Sequence, residues 1–133
     1  MPNLRKVRQE AWEFYQKWRT EKTYSPAFKS SIRVSLRGWN HLSGSDKARK
    51  SRTCKDAYRR YKLLPHAKEI IKTSTTIQNI TQKGTRKFYA LEAVVEIAYN
   101  GKKENRKIRV ILIEDKLGDK IFYSVMDRRL KEH

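Results

Sequence analysis

The sequence predicts an α+β domain with its helices first and a run of hairpin-linked strands after them. Three observations carry this. As far as Lys72, apart from a short alternating stretch over 31–37, apolar residues recur at spacings of three and four. From Thr73 onward the period is two. Between the later strands lie short turn signals, above all Asn100-Gly101, because both central positions of a tight hairpin turn need positive φ. The expected architecture is a set of N-terminal helices on one face of a four-stranded antiparallel meander. All of residues 1–133 form one domain, with an N-terminal helix over 1–22 and the α+β core over 30–127.

The first helix has Asn3 as a cap and Leu4, Val7, Ala11, Tyr15 and Trp18 on one stripe. Glu13 precedes Lys17 by four, the favoured order for a helical ion pair. Trp12 and Phe14 add aromatic weight, which core packing explains more simply than a base-stacking platform does. Residues 20–31, with Ser25-Pro26 among them, read as a linker. Ile32, Val34 and Leu36 then alternate with Arg33, Ser35 and Arg37, a half-buried strand broken at Gly38. His41 follows in the transition, between Trp39-Asn40 and Leu42.

Ser43-Gly44-Ser45-Asp46 has the pattern of a helix start. The helix it opens runs over 46–63, with Cys54, Ala57, Tyr58, Tyr61 and Leu64 as its apolar stripe. Another side carries Arg52, Lys55, Arg59 and Lys62 as a basic ridge, widened by Lys47, Arg49, Lys50 and Arg60. Solvated faces usually mix signs, and only Asp46 and Asp56 interrupt this one, so it is assigned to phosphate binding. Pro65 stops the helix and begins a short one over 65–72, where His66 is a surface residue.

Four strands follow. Residues 73–80 are β-branched and polar, with a turn at 82–85. Residues 87–99 place Tyr89, Leu91, Ala93, Val95, Ile97 and Tyr99 on a face beneath the helices, with Phe88, Glu92, Val94 and Glu96 opposite. Residues 107–114 are nearly all apolar apart from Arg109, as a central strand should be. In the last strand, 120–126, Ile121, Tyr123 and Val125 oppose Phe122, Ser124 and Met126.

Thirty-two Lys and Arg against 14 Asp and Glu give a formal net charge of +18. Self-repulsion at that level costs stability, so the charge implies a polyanionic partner, with nucleic acid ahead of an anionic membrane. No apolar run approaches the ~20 residues of a spanning helix, and no signal-peptide core opens the chain. Cys54 is the single cysteine and the three histidines are scattered, which leaves no disulfide and no zinc set. The expectation is a cytoplasmic protein with no metal and no cofactor. Walker loops, dinucleotide fingerprints and nucleophile elbows are all missing from the sequence.

The order of elements, with Trp39-Asn40-His41-Leu42 before a basic helix, Leu63-Leu64-Pro65, and a meander ending in Phe122-Tyr123-Ser124-Val125, resembles the small phage and toxin nucleases of the barnase, EndoU, colicin and relE-type superfamily. The resemblance covers roughly residues 30–127. It implies metal-independent cleavage of RNA, often tRNA or ribosome-associated RNA, often a toxin role, and with it an acidic antitoxin or immunity protein. His41 corresponds to the histidine of the asparagine-histidine-aliphatic motif, Ser124 to the last-strand Ser/Thr, and Arg59 or Arg60 to a basic residue near the helix end.

Chemistry leads to overlapping residues. RNA carries its own nucleophile, so a metal-free ribonuclease needs a base, an acid and cations for the charge developing on phosphorus. His41 can be acid or base. Glu92 or Glu96 is a candidate second member, although either also suits a cross-strand ion pair. Arg109 can clamp the phosphate. Ser124, with a hydroxyl from 73–76, can orient it. Nucleic-acid binding falls to Lys47, Arg49, Arg52, Lys55, Arg59, Arg60 and Lys62. The same charge also serves a non-catalytic RNA- or DNA-binding protein, in which His41 is structural.

Overall fold

The computed structural model describes residues 4–43, 54–99 and 101–129. Asn3, Gly44 to Asp46, Lys47, Arg49, Lys50, Arg52 and Asn100, and the side chains of Cys54, Lys55, Asp56 and Tyr99, lie outside the described residues, and so do the expectations placed on them.

The architecture is α+β. Helix α1 (Leu4–Thr20), a small hairpin of β1 (Thr23–Ser25) and β2 (Ser30–Ile32), helix α2 (Leu36–Ser43) and helix α3 (Cys54–Thr73) precede four strands. Those strands, β3 (Asn79–Lys83), β4 (Arg86–Tyr99), β5 (Lys102–Glu114) and β6 (Lys120–Arg129), form an antiparallel sheet in the order β3-β4-β5-β6. The β3–β4 turn uses Gly84 at φ 61°, and Gly101 takes the positive φ, 79°, expected of the next hairpin.

The helices cover one face of the sheet. Ala11, Tyr15 and Trp18 of α1 are buried together with Leu91, Val110, Leu112, Phe122 and Val125 of the sheet. Tyr89 and Leu91 are buried, Val95 and Ile97 pack on the rim of the core, and Glu92 and Glu96 stand on the other side. The α1 aromatics are core. Trp18 and Phe122 have ring centroids 5.1 Å apart, Trp12 and Trp39 4.8 Å, and Trp39 stacks on Tyr61 at 5.6 Å. Each such pair contributes roughly 0.5–1.5 kcal/mol beyond its buried area. Glu13 accepts from Gln9 at 3.1 Å instead of pairing with Lys17.

Several local expectations are overturned. Residues 20–31 are not a bare linker: they form the β1–β2 hairpin, whose Thr23 accepts from the indole of Trp18 at 2.9 Å. The strand expected through Leu36 ends at Ile32, with only an isolated bridge from Arg33 to Ile121 beyond it. Leu36 is exposed and opens α2, so Gly38 and His41 are helical. Gly38 is not a breaker but a contact point. A Cβ there would lie 2.6 Å from both the Phe122 carbonyl oxygen and the Tyr15 hydroxyl. Only glycine lets α2 press this closely on β6.

Pro65 does not stop a helix. Helix α3 runs through it, because Leu63, Leu64, Ala67, Ile70 and Ile71 are all buried and hold both halves to the sheet. Pro65 itself is exposed, on the side where water can satisfy the backbone it disturbs. Thr73 is the last residue of that helix, so the first sheet strand starts at Asn79 rather than at Thr73.

The last strand departs from simple alternation. Phe122 pairs with Leu112 and Ser124 with Ile111, which leaves Tyr123 as an extra residue in a β-bulge. Phe122 and Val125 consequently face the helices. Ser124 and Met126 share the open face with Arg109, a different face from Phe122.

Candidate active site

A cleft of about 510 Å³ opens where the bulge of β6 meets the open face of the sheet. Arg109, Ile111, Ser124 and Met126 form its floor. Thr81, Lys83 and Phe88 form the far wall, and His41, Arg60 and Tyr123 the near one.

Helix α2 delivers His41. The imidazole is only 5 % exposed and lies nearly parallel to the Tyr123 ring, with centroids 4.0 Å apart and an interplanar angle of 27°. Phe88 closes on the other edge of Tyr123 at 5.7 Å. Helix α3 delivers Arg60, whose guanidinium donates to the Ser124 hydroxyl and to the Val125 carbonyl, both at 2.9 Å. This pair of bonds anchors the arginine at the edge of β6 and fixes the serine.

Arg109 sits directly across from Glu92, with Nε 3.4 Å from the carboxylate. That nitrogen is buried and has no hydrogen bond. Glu92 does not line the cleft; its carboxylate stands behind Arg109 and orients it. Glu96 is farther away and pairs with Lys103 at 3.8 Å. No hydroxyl from 73–76 reaches the cleft, where Thr81 stands in its place.

The basic ridge divides. Arg60 turns into the cleft. Arg59 instead reaches Asp127 at 3.7 Å, and Asp127, with a fully buried side chain, also accepts from Arg106 at 2.9 Å. Arg59 therefore belongs to an ion network on the helix side of the sheet, which Glu104 joins through Arg106. Lys62 is exposed.

Of the residues singled out in the sequence, His41, Arg60, Arg109 and Ser124 come together, while Glu92, Arg59 and Lys62 stay outside the cleft. Lys83, Thr81, Phe88 and Tyr123 were missed as site residues. A signal existed for the placing of Arg60: it follows Ala57 by three and precedes Leu64 by four, in phase with the buried stripe. For Tyr123 none existed, since a one-residue bulge leaves no mark on the alternation.

Elsewhere two carboxyls are held below the usual carboxylate range. Glu21 is lowered mainly by its hydrogen bond from Lys68, and Glu114 by those from Lys120 and Tyr89. Burial pushes the Tyr15 phenol well above its ordinary range, and it donates to the Ser35 carbonyl at 2.5 Å. Among the described residues no helix is long and apolar enough to cross a membrane. In comparisons with known proteins, no family model, no curated protein and no solved structure matches this chain.

Proposed function

We propose that this protein is an endoribonuclease that cuts RNA by attack of the 2′-hydroxyl on the neighbouring phosphate, without a resident metal. The observation that carries the reading is that His41, Arg60, Arg109 and Ser124, from two helices and two strands, line one cleft. A phosphate seated there meets two guanidinium groups, which favour the charge that develops on the phosphoryl oxygens. The Ser124 hydroxyl, fixed by Arg60, donates to one of those oxygens. His41 moves the proton. It takes it from the 2′-hydroxyl as the 2′-oxygen bonds to phosphorus, and the bond to the 5′-oxygen breaks as that oxygen takes a proton from Lys83 or Tyr123. Lys83 and Tyr123 are the other lining side chains, besides the arginines, that carry an ionisable proton. The products are a 2′,3′-cyclic phosphate and a 5′-hydroxyl.

A second reading, a nucleic-acid-binding protein without catalysis, is favoured by one observation: His41 is nearly buried against Tyr123, as a structural histidine would be. Incubating the protein with total RNA in EDTA separates the two. The ribonuclease reading expects cleavage with 2′,3′-cyclic phosphate ends. His41→Ala should slow it by roughly 10²–10⁴-fold while RNA binding, set largely by phosphate contacts, persists. Cleavage that stops with chelator, or a His41→Ala variant that cuts at the wild-type rate, overturns this mechanism. Binding with no cleavage at all leaves the second reading.

A further inference from the structure

The open face of the sheet continues past the cleft. Its cross-strand rows run Ala90, Ile111, Ser124; then Glu92, Arg109, Met126; then Val94, Lys107, Arg128. The first two rows contribute the floor of the cleft. The third has a different composition. Val94 is 55 % exposed, and Lys107 and Arg128 are exposed cations set directly opposite each other.

Two like charges at facing positions repel and cost stability. The nearest acids on this face do not relieve the repulsion, because Glu92 is taken by Arg109 and Glu96 by Lys103. Among the described residues Lys107 and Arg128 have no ion pair or hydrogen bond. Row-to-row spacing on one face is two residues of strand, roughly 6.8 Å, about the reach of one extended nucleotide. Arg109 and Lys107 are thus consecutive cations along β5, one inside the cleft and one a single step beyond it.

We infer that Val94, Lys107 and Arg128 form a second phosphate subsite, which holds the RNA strand one nucleotide beyond the cleft. This rests on the reading of the cleft as an RNA site. The two cations take the phosphate between them and their mutual repulsion is relieved by it. Val94 offers an apolar seat for the adjoining sugar or base. The sheet then acts as a track, a groove of cations that follows the backbone without reading sequence.

The test uses the full chain, the double variant Lys107→Ala/Arg128→Ala, and a control that removes the same charge from the helix side, Lys17→Ala/Lys22→Ala. Binding of an oligouridylate long enough to cover the sheet is measured against salt. The double variant should bind about tenfold more weakly. Its log–log salt slope should be shallower by about 0.7, since the one phosphate that the two cations hold releases about 0.7 counterion from a single strand. The control should keep the wild-type slope. Cleavage of a uridine dinucleotide, which fills only the cleft, should be unchanged by the double variant, while that of the oligouridylate falls. An equal loss in the control would reduce the effect to general charge and overturn the subsite, as would an equal loss on the dinucleotide. A fall in Tm of the double variant would mark the pair as structural and also overturn it; relief of repulsion expects Tm to hold or rise. If wild type cuts neither RNA, the ribonuclease reading fails and the salt slopes alone decide the subsite. If wild type binds no oligouridylate, subsite and reading fall together.

Discussion

His41 lies flat on Tyr123, with ring centroids 4.0 Å apart. The contact exists because β6 carries one extra residue between the partners of Leu112 and Ile111. That bulge turns Ser124 to the open face and brings the Tyr123 ring under the imidazole. Tyr123→Phe preserves the stacking surface and should leave His41 in place. Tyr123→Ala removes it and should let the imidazole turn, at a cost in rate rather than in RNA affinity. Rates and binding constants for the two variants check this; equal loss in both would move the importance of Tyr123 from its ring to its hydroxyl.

Gly38 is the point at which α2 touches β6. Alanine at a solvent-facing helix position would gain up to about 1 kcal/mol in propensity over glycine. Here its Cβ would stand 2.6 Å from a backbone oxygen that cannot rotate away. The steric term wins, and Gly38→Ala should destabilise the fold by roughly 1–3 kcal/mol. It should also shift His41, three residues on, so activity should fall more than the loss of folded protein explains. Chemical denaturation and activity per folded molecule check the two parts. A Gly38→Ala variant as stable as wild type would contradict the close packing of α2.

The long strands were legible from sequence because alternation over many residues leaves one face to bury, and Asn100-Gly101 admits few structures other than a hairpin. The local conformation around His41 was not legible, although its place beside Ser124 and the basic residues was. Ile32, Val34 and Leu36 alternate as a strand would, yet Leu36 is 45 % exposed and α2 begins there, because the Gly38 contact with Phe122 and Tyr15 decides the local conformation. Pro65 reads as a stop by local rules, but the buried run from Leu63 to Ile71 outweighs the lost hydrogen bond. In the candidate site, His41, Arg109 and Ser124 could be picked out by residue type. Their convergence depended on a bulge and a helix packing that no local pattern encodes.

Acid stability should carry the mark of Glu21 and Glu114. Both folded-state pKa values lie below the ordinary value of 4.5, so the stabilisation is fully present above it. It is lost as pH falls from 4.5 through the folded values. Both pairs are only partly covered and still reached by solvent, so the effect is modest and screened by salt. Plots of Tm against pH for wild type, Glu21→Gln and Glu114→Gln test this. Each variant should show a flatter limb below 4.5 and little added dependence above it. An unchanged acid limb in both would mean that these hydrogen bonds do not persist in solution.

Glu92 decides between two roles for the carboxylate nearest the cleft. As a general base it would have to reach the 2′-hydroxyl, but its carboxylate stands 3.4 Å from Arg109 Nε and outside the lining of the cleft. Its side chain is 12 % exposed and that of Arg109 is 22 %. Glu92→Gln therefore removes the charge partner of a mostly buried guanidinium, and should cost about 1–3 kcal/mol of stability. The same change removes a negative charge next to the proposed phosphate site, so RNA affinity should rise, most clearly at low salt. Without its carboxylate partner Arg109 is less well aimed, and the cleavage rate should drop by less than that of His41→Ala. Arg109→Lys gives the complementary measurement: the charge remains but the planar fork is lost, so the rate should fall while the salt dependence of binding holds. A Glu92→Gln variant as slow as His41→Ala, with stability and binding unchanged, would reverse the assignment and make Glu92 the proton acceptor.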